Sequence, residues 1–129
     1  MTNERPHKRL AVWKRSILMV KRIYEISASF PREEEFGLKA QIRRAAVSVP
    51  SNIAEGLTRR SKKDKVYFLN ISDSSLSEID TQLEIAKELG FITEQIFKEI
   101  EEHLVQVQRP LSGLIRSIEA SPPFTVLFA

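Results

Sequence analysis

The sequence predicts an all-α protein, an up-down-up-down antiparallel four-helix bundle that assembles as a homo-oligomer. Three observations predict it. Apolar residues recur at alternating steps of three and four in four successive stretches, the spacing of helices that pack along a seam. The breaks between stretches are short and carry Gly, Pro or a capping hydroxyl, so neighbouring helices must turn back on one another. No stretch shows the strict alternation of a strand. At 129 residues the chain holds one core. The predicted bundle occupies residues 9–120, with tails at 1–8 and 121–129.

The first helix is carried by Leu10, Trp13, Ile17, Val20 and Tyr24, read as its main seam. A second line, Val12, Met19, Ile23, Ile26 and Phe30, runs beside it. The stripe is wider than one neighbour requires, which implies a second packing surface and hence self-association. Phe30 and Pro31 are expected to end this helix. Glu33 to Glu35 then suit the positive end of the next helix dipole.

Leu38, Ile42, Ala45, Val49 and Ile53 carry the second helix, which Gly56 is expected to end in the left-handed cap position. Ala45, Ala46, Ser48 and Ser51 are small enough for close approach. Pro50 lies inside the pattern, where it removes a hydrogen bond and kinks the helix, with Ser48, Ser51 or Asn52 available to satisfy freed backbone groups. The third helix begins at Ser61, whose hydroxyl forms a capping box with Asp64, and continues through Leu69, Ser72, Leu76, Ile79, Leu83 and Ala86 to Leu89 and Gly90. Thr93 caps the fourth, built on Phe97, Ile100, Leu104, Val107, Leu111, Leu114 and Ile118 and bent at Pro110. The tail SPPFTVLFA lacks periodicity and is expected to be disordered, docking of Phe124, Leu127 and Phe128 on a neighbouring subunit being the alternative.

Several chemistries are excluded. There is no cysteine, so disulfide and thiolate chemistry are absent. The N-terminus lacks the apolar core of a secretion signal and no segment is long and apolar enough to span a bilayer, which points to a cytoplasmic protein with no membrane partner. The residue three before His103 is Ile100, so the Glu-x-x-His pairs of a di-metal bundle are missing. No metal or other cofactor is expected. Neither His7 nor His103 has a nucleophile beside it, and Glu101, Glu102 and His103 read as a solvated helix face. Asn70, Ser74, Glu78 and Gln82 recur at steps of four in the third helix and read as a polar face or a hydrogen-bonded interface rather than an active site. The expectation is a protein that is not an enzyme.

Charge is the stronger signal. Residues 1–66 carry 16 Lys and Arg against 7 Asp and Glu, a net +9, whereas residues 67–129 carry 4 against 10, a net −6. Such asymmetry indicates either a basic surface for a polyanion or complementary faces that meet one another. Arg59, Arg60, Lys62, Lys63 and Lys65 surround the start of the third helix, where the dipole and free N–H groups already attract anions. Lys39, Arg43 and Arg44 add positive charge on the second helix, and Lys14, Arg15, Lys21 and Arg22 on the first. Tyr67 and Phe68 are the only aromatics beside the cluster, which argues against sequence-specific base reading.

The segments LAVWKRS, FPREEEFGLKAQIRRAAVSVPSNIAEG and SLSEIDTQLEIAKELGFI together resemble the four-helix-bundle family encoded in intervening sequences of bacterial 23S ribosomal RNA genes, over roughly residues 9–118. Ser48, Pro50, Asn52, Ile53, Glu55 and Gly56 match the family signature in the second helix, and Ser75, Glu78, Gln82 and Leu83 that in the third. The resemblance implies a homopentamer without established enzymatic activity. It also implies kinship with the accessory protein of diversity-generating retroelements, which works with a reverse transcriptase and binds nucleic acid. Pro110 and the tail depart from the family pattern. Two functions follow. One is a non-catalytic module binding RNA or DNA, structured RNA or a nucleoprotein above all, through the basic surface. The other is a scaffolding oligomer whose ligand is a protein partner and whose charges are used between subunits.

Overall fold

The computed structural model describes residues 5–122. The expectations for Phe124, Leu127 and Phe128 lie outside these. Among the described residues there are four α-helices and no strand: α1 (Ala11–Ser27), α2 (Leu38–Thr58), α3 (Lys62–Glu88) and α4 (Glu94–Ala120). Short 3-10 turns at Pro6–Arg9 and Arg32–Glu34 precede α1 and α2. α2 packs on α1 and α3, and α4 packs on α3 and α1, while the backbones of the diagonal pairs α1/α3 and α2/α4 stay apart. The core therefore lies along the axis that the four helices surround.

The two apolar lines of α1 exchange the roles that the sequence assigns them. Val12, Met19, Ile23 and Ile26 are buried, whereas Ile17 and Tyr24 are each 40% exposed and Trp13 and Val20 are half-buried. The reason is Ser16. It fills the gap between Val12 and Met19 on the core-facing line, fully buried, by turning its hydroxyl back to the Trp13 carbonyl at 2.7 Å. A serine hides a core line from a purely apolar count. α1 also ends at Ser27, earlier than expected. Phe30 still reaches the core, from the loop, where its ring lies 5.6 Å from that of Phe91.

Glu34 gives the acidic loop a direct task, its Oε1 accepting the Leu38 N–H at 2.9 Å at the start of α2. The expected stop at Gly56 is not there. α2 runs through it to Thr58, and Gly90 is the one described residue with a positive φ, at 78°. Gly56 is instead a point of close approach. A Cβ there would lie 3.1 Å from the Lys65 carbonyl oxygen and 3.3 Å from both Leu69 Cγ and Phe68 Cβ, all on α3. Arg59 ends α2 by going extended, ψ 152°. Beyond Gly56 the α2/α3 contact is polar and buried: Ser72 Oγ donates to the Val49 carbonyl at 2.8 Å, and Ser75 Oγ to Ser48 Oγ at 2.9 Å. Asn52 Nδ2 donates to both the carbonyl and the Oγ of Ser48.

The remaining caps follow the sequence. Ser61 Oγ accepts the Asp64 N–H at 3.0 Å, and Thr93 Oγ1 the Ile96 N–H at 3.1 Å. α3 closes with Gly90 N–H on the Lys87 carbonyl and Phe91 N–H on the Ala86 carbonyl, the paired bonds of a Schellman end. α4 is continuous through Pro110. α1 and α4 are clamped by a two-pronged ion pair, Arg22 Nε to Glu99 Oε2 at 2.6 Å and Nη2 to Oε1 at 2.8 Å. The hydrogen bond from Arg22 holds the Glu99 carboxyl below its usual range, with partial desolvation opposing.

Three variants test this packing and the clamp. Gly56→Val should destabilise the fold by about 2 kcal/mol through overpacking. Gly113→Ala should stabilise it by up to about 1 kcal/mol, because the nearest atom to an added Cβ at Gly113, in α4, is 4.0 Å away. Urea unfolding of both variants checks the contrast. Because the Glu99 pKa is lowered on folding, its stabilisation is present above the unfolded carboxylate value and is lost as pH falls through the folded one. Glu99→Gln should therefore cost at most about 1 kcal/mol near neutrality, the side chains being part-exposed. The gap to the parent chain should close as pH falls below the ordinary carboxylate range, and a gap independent of pH would contradict the assignment.

Candidate nucleic-acid interface

The turn between α2 and α3 is only Arg59, Arg60 and Ser61 long, because Arg59 leaves the helix extended and Ser61 at once caps the next one. Five cations are thereby drawn to one end of the molecule. They are not equivalent. Arg59 is used internally: its guanidinium lies 4.6 Å over the Phe68 ring and pairs with Glu55 one turn back. Its Nε is enclosed without a hydrogen-bond partner. Lys62 is used too, since its Nζ donates to the Ser121 carbonyl at 2.7 Å and so ties the start of α3 to the end of α4. Among the described residues the side chains of Arg60, Lys63 and Lys65 have no ionic or hydrogen-bonding partner. Arg60 and Lys63 are exposed and Lys65 is half-buried.

The three basic residues of α2 are elsewhere. About 22 Å of helix separates Arg44 from Arg59, at a rise of 1.5 Å per residue. Lys39 is paired with Glu35 at 3.0 Å. Arg43 closes the end of α1, donating to Ser27 Oγ at 2.8 Å and to the Tyr24 carbonyl at 3.0 Å while its guanidinium covers the Tyr24 ring at 4.3 Å. Arg44 points the other way, into a 380 Å³ groove between α2 and α3. The eight predicted residues thus form two groups, and only the group at the α2/α3 turn offers several uncommitted cations.

Tyr67 belongs with that group. It follows Lys63 by one helical turn, is 60% exposed, and leans edge-on against Phe68 with ring centroids 5.1 Å apart. From Tyr67 a shallow groove of 250 Å³ runs past Asn70 and Ser74 to Glu78. The face predicted from the four-residue spacing is therefore exposed at Asn70, Ser74 and Glu78, but Gln82 is buried and its Oε1 has no partner. The motif residues divide similarly. Pro50, Ile53, Gly56 and Leu83 are buried packing positions, Ser48, Asn52 and Ser75 form the polar contact, and Glu55 is spent on Arg59.

One surface escaped the sequence reading, and another, the second apolar surface expected of α1, lies on the line read there as its main seam. A groove of 770 Å³ between α3 and α4 is rimmed by Asp73, Asp80, Glu101 and Glu102. The seven-residue step from Asp73 to Asp80, facing an acidic pair on the next helix, is the signal that marks it. A 310 Å³ apolar groove between α1 and α2 is lined by Trp13, Ile17, Val20, Val47 and Pro50, with His7 from the N-terminal 3-10 turn edge-on to Trp13 at 5.1 Å. His103 sits beside Glu99 at 4.0 Å. Among the described residues no three His, Asp or Glu side chains gather as metal ligands, and no helix is long and apolar enough to cross a membrane.

Residues 8–113 match the model of a protein family described as 23S rRNA-intervening sequence protein. The chain is also similar to a solved structure from Bacteroides thetaiotaomicron VPI-5482, described as a protein with unknown function from the S23 ribosomal protein family. That similarity has a TM-score of 0.76 and 25% identity, and covers 81% of this chain and 95% of the other. No curated protein matches.

The division of the cations is testable by stability alone. Arg59→Ala, which removes a cation–π contact and an ion pair, should cost about 1 kcal/mol. Arg60→Ala should stay within about 0.5 kcal/mol of the parent chain. Equal losses in urea unfolding would show that the two arginines are not distinguished as the geometry has them.

Proposed function

Because the chain belongs to the 23S rRNA-intervening sequence protein family, we propose that it is a non-catalytic, self-associating antiparallel four-helix bundle of the up-down-up-down kind, and that it binds nucleic acid, structured RNA or a nucleoprotein, through the α2/α3 turn. The single observation that carries the binding is the set of uncommitted cations gathered at one turn, Arg60, Lys63 and Lys65, with the exposed ring of Tyr67 one helical turn from Lys63. Cations supply the salt-dependent attraction for phosphates, and an exposed ring stacks any unpaired base. The antiparallel arrangement is supported by side-chain pairings that run in opposite senses, Gly56 meeting Lys65 to Leu69 while Ser48 meets Ser75.

Self-association is supported by apolar side chains left outside the core, with Ile17, Leu18 and Val47 on α1 and α2 exposed by 40% or more. A ring would repeat the basic turn around its axis, and avidity would then compensate for the few contacts each turn can make. The cytoplasm, where ribosomal RNA is found, is the location this reading requires.

Titration of the purified chain with a structured ribosomal RNA fragment across a salt series tests the binding. Arg60→Gln/Lys63→Gln/Lys65→Gln should weaken it and flatten the slope of log K against log salt by up to about 2–3 units. Tyr67→Ala should weaken binding to unpaired loops and leave the slope intact. Unchanged affinity in the triple variant would overturn the assignment of this turn, and binding to a protein partner alone would favour a scaffold.

A further inference from the structure

We propose that the acidic groove between α3 and α4 is the docking site for the outward face of α1 of a second copy of this chain, so that subunits join head to tail. On α1, Lys14, Leu18 and Lys21 follow one another at steps of four and three, and Arg15 stands three before Leu18, so the three cations surround Leu18 on the outward side of the helix. All are exposed, Leu18 by 57%. In the groove, Asp73 and Asp80 of α3 face Glu101 and Glu102 of α4, above a floor of Leu104 and half-buried Val105. Lys98 is the one cation on that rim.

Charge complementarity selects the occupant. None of Lys14, Arg15, Lys21, Asp73, Asp80, Glu101 or Glu102 has an ion-pair partner within its own chain among the described residues. The neighbours Arg22 and Glu25 of α1 and Glu99 of α4 do pair, with one another. The fold thus spends its charges where α1 meets α4 inside the chain and leaves opposite charges unspent on two other faces. Each unspent set surrounds an apolar centre, Leu18 on one side and Val105 on the other. That is the pattern of a charged rim around a small apolar contact. The two faces lie on different parts of the surface, so the contact is heterologous and closes into a ring wherever the rotation permits. It rests on the reading that the chain self-associates and is independent of RNA binding.

Two charge-reversed chains test it: Lys14→Glu/Arg15→Glu/Lys21→Glu, and Asp73→Lys/Asp80→Lys/Glu101→Lys, each first shown by circular dichroism to keep its helices. In sedimentation velocity at low salt the parent chain should be an oligomer that dissociates as salt screens the rim. Each reversed chain alone should sediment as a monomer, because like charges then face one another. An equimolar mixture should reassociate, in even-numbered species, since only unlike chains can now pair. Should a reversed chain fail to fold, the mild surface variant Lys14→Gln/Lys21→Gln should still raise the dissociation constant about tenfold. A parent chain monomeric at every salt concentration would overturn self-association itself. A parent oligomer with reversed or neutralised chains of unchanged mass, or a mixture that stays monomeric, would overturn only this interface.

Discussion

The close approach of α2 and α3 is the constraint on which the rest of the molecule depends. It is made possible by the absence of a side chain at Gly56, against the backbone of Lys65, and by serines at Ser48, Ser72 and Ser75 where larger residues would hold the helices apart. Leucine at these positions would widen the contact and, with it, the angle at which α1 and α4 complete the core. The serines bring polar atoms into a buried seam, and each is answered by a carbonyl or another hydroxyl. The seam is therefore narrow and also specific in register, since a slip of one turn would leave those hydroxyls without partners.

That constraint positions the surface. Because α2 is held tightly against α3 up to its end, the connection can be only three residues long, and the cations of the turn are forced together at one end of the bundle. Some of them are then absorbed by the fold. Arg59 covers Phe68 and Lys62 holds the end of α4, so a run that looks uniform in sequence separates into residues that brace the turn and residues that face solvent. The same separation applies to Arg43 and Arg44, adjacent in the chain and on different sides of α2, one closing α1 and the other lining the α3 groove.

Charge is distributed by the same logic over the whole molecule. Among the described residues the basic first half and the acidic second half form an ion pair with one another only where α1 crosses α4, at Arg22 and Glu99. Elsewhere the two halves approach without pairing, Arg44 lining the same groove as Glu78 and Lys63 the same groove as Glu119. The basic turn at one end, the basic outward face of α1 and the acidic groove between α3 and α4 are nonetheless distinct parts of the surface.

The sequence by itself determined the four helices, most of their ends and their apolar faces, because these depend on residues within a few positions of one another. Ser61 with Asp64, Thr93 with Ile96 and Gly90 after Leu89 are local chemistry and were legible as such. What only the tertiary structure decided is which of two similar faces turns inward and what each special residue is for. α1 buries Val12, Ser16 and Met19 rather than the line through Trp13 and Ile17, since a serine bonded to its own backbone packs as a small core residue. Gly56 serves a neighbouring helix rather than a turn, and Arg59 a ring rather than a ligand, because steric room and ion pairing are set by residues that reach the same place along another path of the chain.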